Sequence, residues 1–121
     1  MIAIRRLLQQ RLQELHPRVY FQRAASDAQF PYLVWELPTA RDEGQAQGTL
    51  TLELNGWDDQ ADSAGLEQLM AVVREGLDGQ VLVEATAVVV LHHETTLPIN
   101  IEDDKVHGRK LTFHGRIFRR S

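Results

Sequence analysis

Cysteine is absent from the chain. That excludes disulfides, thiolate zinc sites, iron–sulfur clusters and cysteine nucleophiles. Serine is almost absent: only Ser26, Ser63 and Ser121 occur, and none lies in a Gly-x-Ser-x-Gly turn. The glycines Gly44, Gly48 and Gly56 are scattered, and no Gly-Lys-Ser or Gly-Lys-Thr follows them, so the sequence holds no phosphate loop. Long apolar runs are missing too. The longest, Ala85 to Leu91, is broken by Thr86. It falls far short of the ~20 residues that span a bilayer and suits a buried strand. Met1 to Leu8 carries Arg5 and Arg6 but no apolar stretch with a cleavage site, so it does not read as a signal peptide. Excess positive charge is lacking as well. A net charge of −4 argues against the chain as a whole attracting nucleic acid.

What remains is ordinary globular composition. The 121 residues fit one domain, expected to span residues 1–121. A domain of this size buries roughly 65% of its unfolded surface, enough for a core without metal or disulfide. Ile4, Leu8, Leu12 and Leu15 recur at helical spacing over residues 2–15, with Arg5, Arg6, Gln9, Gln10, Arg11 and Gln13 largely off that stripe. His16-Pro17 stops the helix. Strands are expected over residues 18–24 and 31–37, paired as a hairpin. A polar loop over 39–48 follows. Thr49 to Trp57 alternates strictly, with Leu50, Leu52 and Leu54 on one side. Asp59, Asp62 or Ser63 offers an N-cap for a second helix, whose stripe is Leu66, Leu69, Met70, Val73 and Leu77; Gly79 is its natural stop. Residues 81–92 are apolar on both faces and read as a central strand. A second polar loop over 93–108 precedes a last strand over 110–118. The order α-β-β-β-α-β-β predicts an α+β fold: a mainly antiparallel, mixed sheet of about five strands with two helices on one face. If the strands flanking the second helix are parallel, their connection is right-handed.

No group of residues forms a reaction centre. His92, His93, Glu94, His107 and His114 lie in the C-terminal third, but neighbours on a strand point to opposite faces, so His92 and His93 do not share an ion. Asp58-Asp59 and Glu102-Asp103-Asp104 match no magnesium spacing and read as a helix start and a solvated turn. No catalytic residue, cofactor site or metal site is expected. Charge is nevertheless uneven. Arg109, Lys110, Arg116, Arg119 and Arg120 crowd the end of the chain; Asp58, Asp59, Asp62, Glu67, Glu75 and Asp78 crowd the middle. Such regions either stay solvated or pair between copies. Trp57 either anchors an interface or packs over the second helix.

Taken together, Phe30-Pro31-Tyr32-Leu33-Val34, Leu52-Glu53-Leu54-Asn55-Gly56-Trp57-Asp58-Asp59, Leu66 to Leu77, and Lys110 to Arg119 resemble the tail terminator or tail-completion proteins at the neck of long-tailed phages, often prophage-encoded. The resemblance covers nearly the whole chain. It implies a structural subunit, not an enzyme, that forms a homo-oligomeric ring, typically a hexamer. Such a ring caps the tail tube, ends its polymerisation and joins the tail to the head connector. The implied partners are further copies, the tail tube protein and the connector protein, with no membrane and no sequence-specific nucleic acid. The implied location is the host cytoplasm during assembly, then the virion. The residues expected at interfaces are Arg41, Asp42 and Glu43 in the first loop, Trp57, Asp58 and Asp59 after the third strand, Glu102, Asp103, Asp104 and Lys105 in the second loop, and Arg116 and Arg119 in the last strand. The alternatives are an oligomeric adaptor outside phages, a small metal-dependent hydrolase and a nucleic-acid-binding domain.

Overall fold

The computed structural model describes residues 2–41, 47–101 and 105–120, with the side chains of Arg41 and Gln47 excepted. The elements are α1 (Ile2–Leu15), β1 (Val19–Phe21), β2 (Tyr32–Arg41), β3 (Gln47–Asp58), α2 (Ala64–Leu77), β4 (Val81–Val83), β5 (Ala87–Ile99) and β6 (His107–Arg119). The fold is α+β, as the patterning predicts, with a six-stranded mixed sheet in the order β1-β2-β3-β6-β5-β4.

The sixth strand arises where one was expected. Residues 81–92 divide into β4 and β5, which pair antiparallel with Val83 opposite Val88. No glycine or proline marks the turn between them. Glu84 makes it instead, accepting the backbone N–H of Thr86 at 2.8 Å and the Thr86 hydroxyl. The two-faced apolar pattern is that of a hairpin at the sheet edge, not of a central strand.

Three further expectations are corrected. β1 and β2 are parallel rather than a hairpin, because residues 22–31 carry the chain back before β2 begins. Arg18 Nε donates to the Pro31 carbonyl at 3.0 Å, and His16 Nε2 sits 2.9 Å from the same oxygen, which fixes that return. The segments expected as loops are mostly strand. β2 continues through Pro38 to Arg41 with a register shift between Glu36 and Thr39, the kind of irregularity at which a strand tolerates proline. β5 runs to Ile99 past a shift between His93 and Thr95, and β6 starts at His107. Finally, β3 and β4 are not neighbours: the chain crosses over β6 and β5, and the alternating ladder sets β3 and β4 antiparallel. β5, which holds residues 87–92 of the expected strand, runs parallel to β3 with β6 between them, so only the β4 part fails the condition for a parallel crossover.

Both helices cover one sheet face. Ile4, Leu8 and Leu12 of α1 and Leu66, Met70, Val73 and Leu77 of α2 are buried against Leu33, Trp35, Leu50, Leu52, Leu54, Leu91, Leu111, Phe113 and Ile117. Each such side chain contributes about 1.5–3 kcal/mol by leaving water. The helices are tied together by Arg11, whose Nη2 donates to the Gly76 carbonyl at 2.9 Å. α1 is tied to the sheet by Trp35, whose Nε1–H donates to Gln9 Oε1 at 2.6 Å. α2 begins after Ser63, which makes no side-chain cap; Asp62 Oδ1 accepts the Ala64 N–H instead.

Candidate assembly surfaces

The face away from the helices is open. Alternation sends Thr49, Thr51, Glu53, Asn55 and Trp57 of β3 to that side, since Leu50, Leu52, Leu54 and Gly56 between them are buried. The register then sets Thr51 against His114, Glu53 against Thr112 and Trp57 against Gly108. Antiparallel sheets tolerate one wet face, but this one is zoned. At the β4 edge lie Val81 and Val83, 57% and 53% exposed, beside Val88, Val90 and Phe118. The middle is polar: Lys110 Nζ lies 3.8 Å from Glu53 Oε2, and the Thr39 hydroxyl donates to Thr51 Oγ1 at 2.9 Å. The third zone is aromatic, with Trp57 opposite Tyr32. The Trp57 ring lies over Gly108, where an added Cβ would stand 2.6 Å from Trp57 Cζ3. Trp57 therefore does not pack over α2; it occupies the other side of the sheet.

The ladder separates the expected interface residues into two groups. Arg41 pairs with Thr49, and Thr49 with Arg116, so Arg41, Arg116 and Arg119 lie at the end where β2 passes to β3. Trp57, Asp58 and Asp59 lie at the opposite end, where β5 passes to β6, with Asp58 paired to His107. Asp59 and Lys105 are exposed there. Asp58 is not: it is 3% exposed, and its Oδ1 accepts the Asp59 N–H at 2.8 Å. Asp42, Glu43, Glu102, Asp103 and Asp104 lie outside the described residues. Much of the basic C-terminal strand is engaged within the chain. Arg109 Nη2 pairs with Glu67 at 3.1 Å, and Arg120 Nη1 donates to the Glu84 carbonyl at 2.8 Å. Arg116 is exposed, its guanidinium 5.8 Å from the Phe118 ring centre.

A surface absent from the sequence expectations lies between α1 and β1. It is a groove of about 660 Å³ walled by Arg5, Arg6, Gln9 and Gln13 and floored by Phe21 and Trp35. Arg5 stacks 4.1 Å from the Phe21 ring centre, a cation–π contact. Edge strand β1 is blunted here: Gln9 Nε2 donates to the Val19 carbonyl at 3.1 Å, and the Arg23 N–H to the Phe21 carbonyl at 2.8 Å. Covering an edge in this way discourages indiscriminate strand pairing. The signal was present as the polar residues off the α1 stripe; what they would face was not.

The histidines find neighbours but no centre. His92 pairs across the ladder with His114, while His93 stacks edge-on to Phe113 at 5.6 Å and meets the Thr96 hydroxyl at 2.8 Å. Among the described residues, no three His, Asp or Glu side chains gather to hold a metal ion. Glu84 has its carboxyl held below the ordinary value of 4.5, chiefly by the Thr86 hydroxyl and then by backbone N–H groups of the turn. That turn lies at the sheet edge and faces no nucleophile.

A sheet sealed by helices on one side and open on the other defines a two-layer α+β module. The chain belongs to the tail completion protein gp17 family, which matches residues 3–117. It is a structural protein of the phage tail, as the resemblance in its sequence implied. Among solved structures it is similar to a chain in the virion of a native gene transfer agent particle. The TM-score is 0.70 and the identity 17%, over 97% of this chain and 92% of that one. A second solved chain has a TM-score of 0.68 at 16% identity, over 98% of this chain and 94% of its own length. At these identities the likeness is one of fold. No curated protein is significantly similar in sequence. No helix among the described residues is long and apolar enough to cross a membrane.

Proposed function

We propose that this chain, acting as a single domain over residues 1–121, forms a ring on the finished tail tube of a long-tailed phage or prophage. The ring stops tube growth and presents a surface to the head connector. The observation that carries this reading is the separation of two contact regions to opposite ends of one ladder, Gln47↔Phe118 at one and Asp58↔His107 at the other. A terminating ring needs two such ends, one for the tube and one for the connector. It also needs lateral patches that differ from each other, because head-to-tail contacts are what close a ring. The open sheet face supplies surface for them. Family membership and the likeness to a chain of a virion particle support the reading. Trp57 and Lys105 serve one end, and Arg41, Arg116 and Arg119 the other. Binding energy from such contacts does the work, so no catalytic step is required. The subunit assembles in the host cytoplasm and remains in the virion.

The test is tail morphology. Phage lacking this chain should make tubes of irregular, excessive length that fail to join heads, seen by electron microscopy. Adding purified protein to polymerising tube protein should halt growth. Tails of normal length that still lack heads would assign the chain to another step at the neck and remove the terminator reading.

A further inference from the structure

The α1–β1 groove has one sign of charge. Arg5, Arg6 and Arg23 line it and no carboxylate does. The Arg6 and Arg23 side chains are exposed and make no hydrogen bond or ion pair with any described residue. Elsewhere the cations are largely used inside the subunit: Arg11 on Glu14 and Gly76, Arg18 on Pro31, Arg109 on Glu67, Lys110 on Glu53 and Arg120 on Glu84. The chain carries 17 acidic residues against 13 basic ones, so a one-sign basic groove runs against its average. Its aromatic floor and glutamine wall suit a polypeptide, offering apolar contact and amide hydrogen bonds together.

The complementary surface is also present. Between β3 and α2, residues 59–62 form an exposed turn carrying Asp59 and Asp62. Their side-chain contacts are local: Asp59 Oδ1 accepts from the Gln60 amide at 3.4 Å, and Asp62 Oδ1 from the Ala64 N–H. Among the described residues, no cation pairs with either.

We infer that the groove between α1 and β1 receives the acidic β3–α2 turn of a second copy, with Arg6 and Arg23 of one subunit facing Asp59 and Asp62 of the next. The contact joins two different patches, so it propagates head to tail, the kind of contact that closes a ring when the rotation between copies closes. It rests on the ring reading above and names the interface that builds it. Partly exposed charge pairs fix register and weaken with salt.

The absence of cysteine makes the test clean. R23C and D62C are made as separate chains, mixed at assembly concentration and oxidised. The expected result is a mixed covalent dimer well above either self-pair, and a ladder of covalent oligomers from the R23C/D62C double variant. In parallel, light scattering follows assembly of R6E/R23E, D59R/D62R and the four-fold combination, with circular dichroism checking that each is folded. Each reversal should raise the concentration needed for assembly at least about tenfold, and the combination should restore it. If the wild-type chain forms rings, yet the reversals leave them intact and the cysteines pair at random, this interface is wrong and the ring stands. If the wild-type chain is monomeric at every concentration and also on tubes, ring and interface fall together. Duplex DNA binding that R6E/R23E abolishes, with assembly unchanged, would give the groove to nucleic acid and overturn the inference.

Discussion

Gly115 shows what a single missing methyl group permits. It lies on the helix-covered face, where an added Cβ would stand 2.6 Å from Leu50 Cδ1 and 2.8 Å from Leu50 Cγ. Leu50 is 1% exposed and has nowhere to move. Gly115→Ala should therefore cost about 1–3 kcal/mol by overpacking, measured by urea unfolding. In the Leu50→Ala background, which alone costs about 2–5 kcal/mol, the same change should cost much less. Glu84 makes a second residue-scale prediction. Its carboxyl is held below the ordinary 4.5 by Thr86, so the charged form is the one the fold favours. The turn's support is complete above the ordinary carboxylate range and is lost as pH falls through the lowered folded value. An NMR titration should place Glu84 below the ordinary 4.5, and Thr86→Val should move it back up. Neither contact is visible in the sequence.

At the scale of elements, both ends of α1 and the end of α2 were legible because Ile4, Leu8, Leu12 and Leu66, Met70, Val73, Leu77 repeat at one clear period, while the start of α2 stayed open among Asp59, Asp62 and Ser63. β3 was legible for the same reason at the other period. The strand ends were not. Residues 93–99 and 107–109 are polar because they flank the open face or the rim, so polarity there marks exposure rather than loop. β1 and β2 were found, but pairing direction is set by contacts of His16 and Arg18 with Pro31, which periodicity does not carry. The helix pair depends on Arg11, half-buried and bonded to the Gly76 carbonyl through both Nε and Nη2. Arg11→Met keeps the apolar stem but removes the donor. It should lower unfolding stability by about 1 kcal/mol and leave the helical circular dichroism signal unchanged. The α1–β1 groove escaped sequence reading because its two walls come from elements whose packing angle no local pattern encodes.

For the whole molecule, the open face should separate folding from assembly. Val81 and Val83 are more than half exposed and bury little in the lone subunit. Val81→Lys with Val83→Lys should shift monomer stability by no more than about 0.5 kcal/mol, checked by thermal melting, while reducing incorporation into tails. Equal losses in both measurements would mean that these valines belong to the subunit's own core. The β3–β6 ladder runs unbroken from Gln47↔Phe118 to Asp58↔His107 through the centre of the sheet. Its hydrogen bonds lie across the strands. A pull applied between the two ends of this ladder runs along the strands. Such a load shears every rung at once instead of peeling them singly, which makes the subunit stiff along its strands.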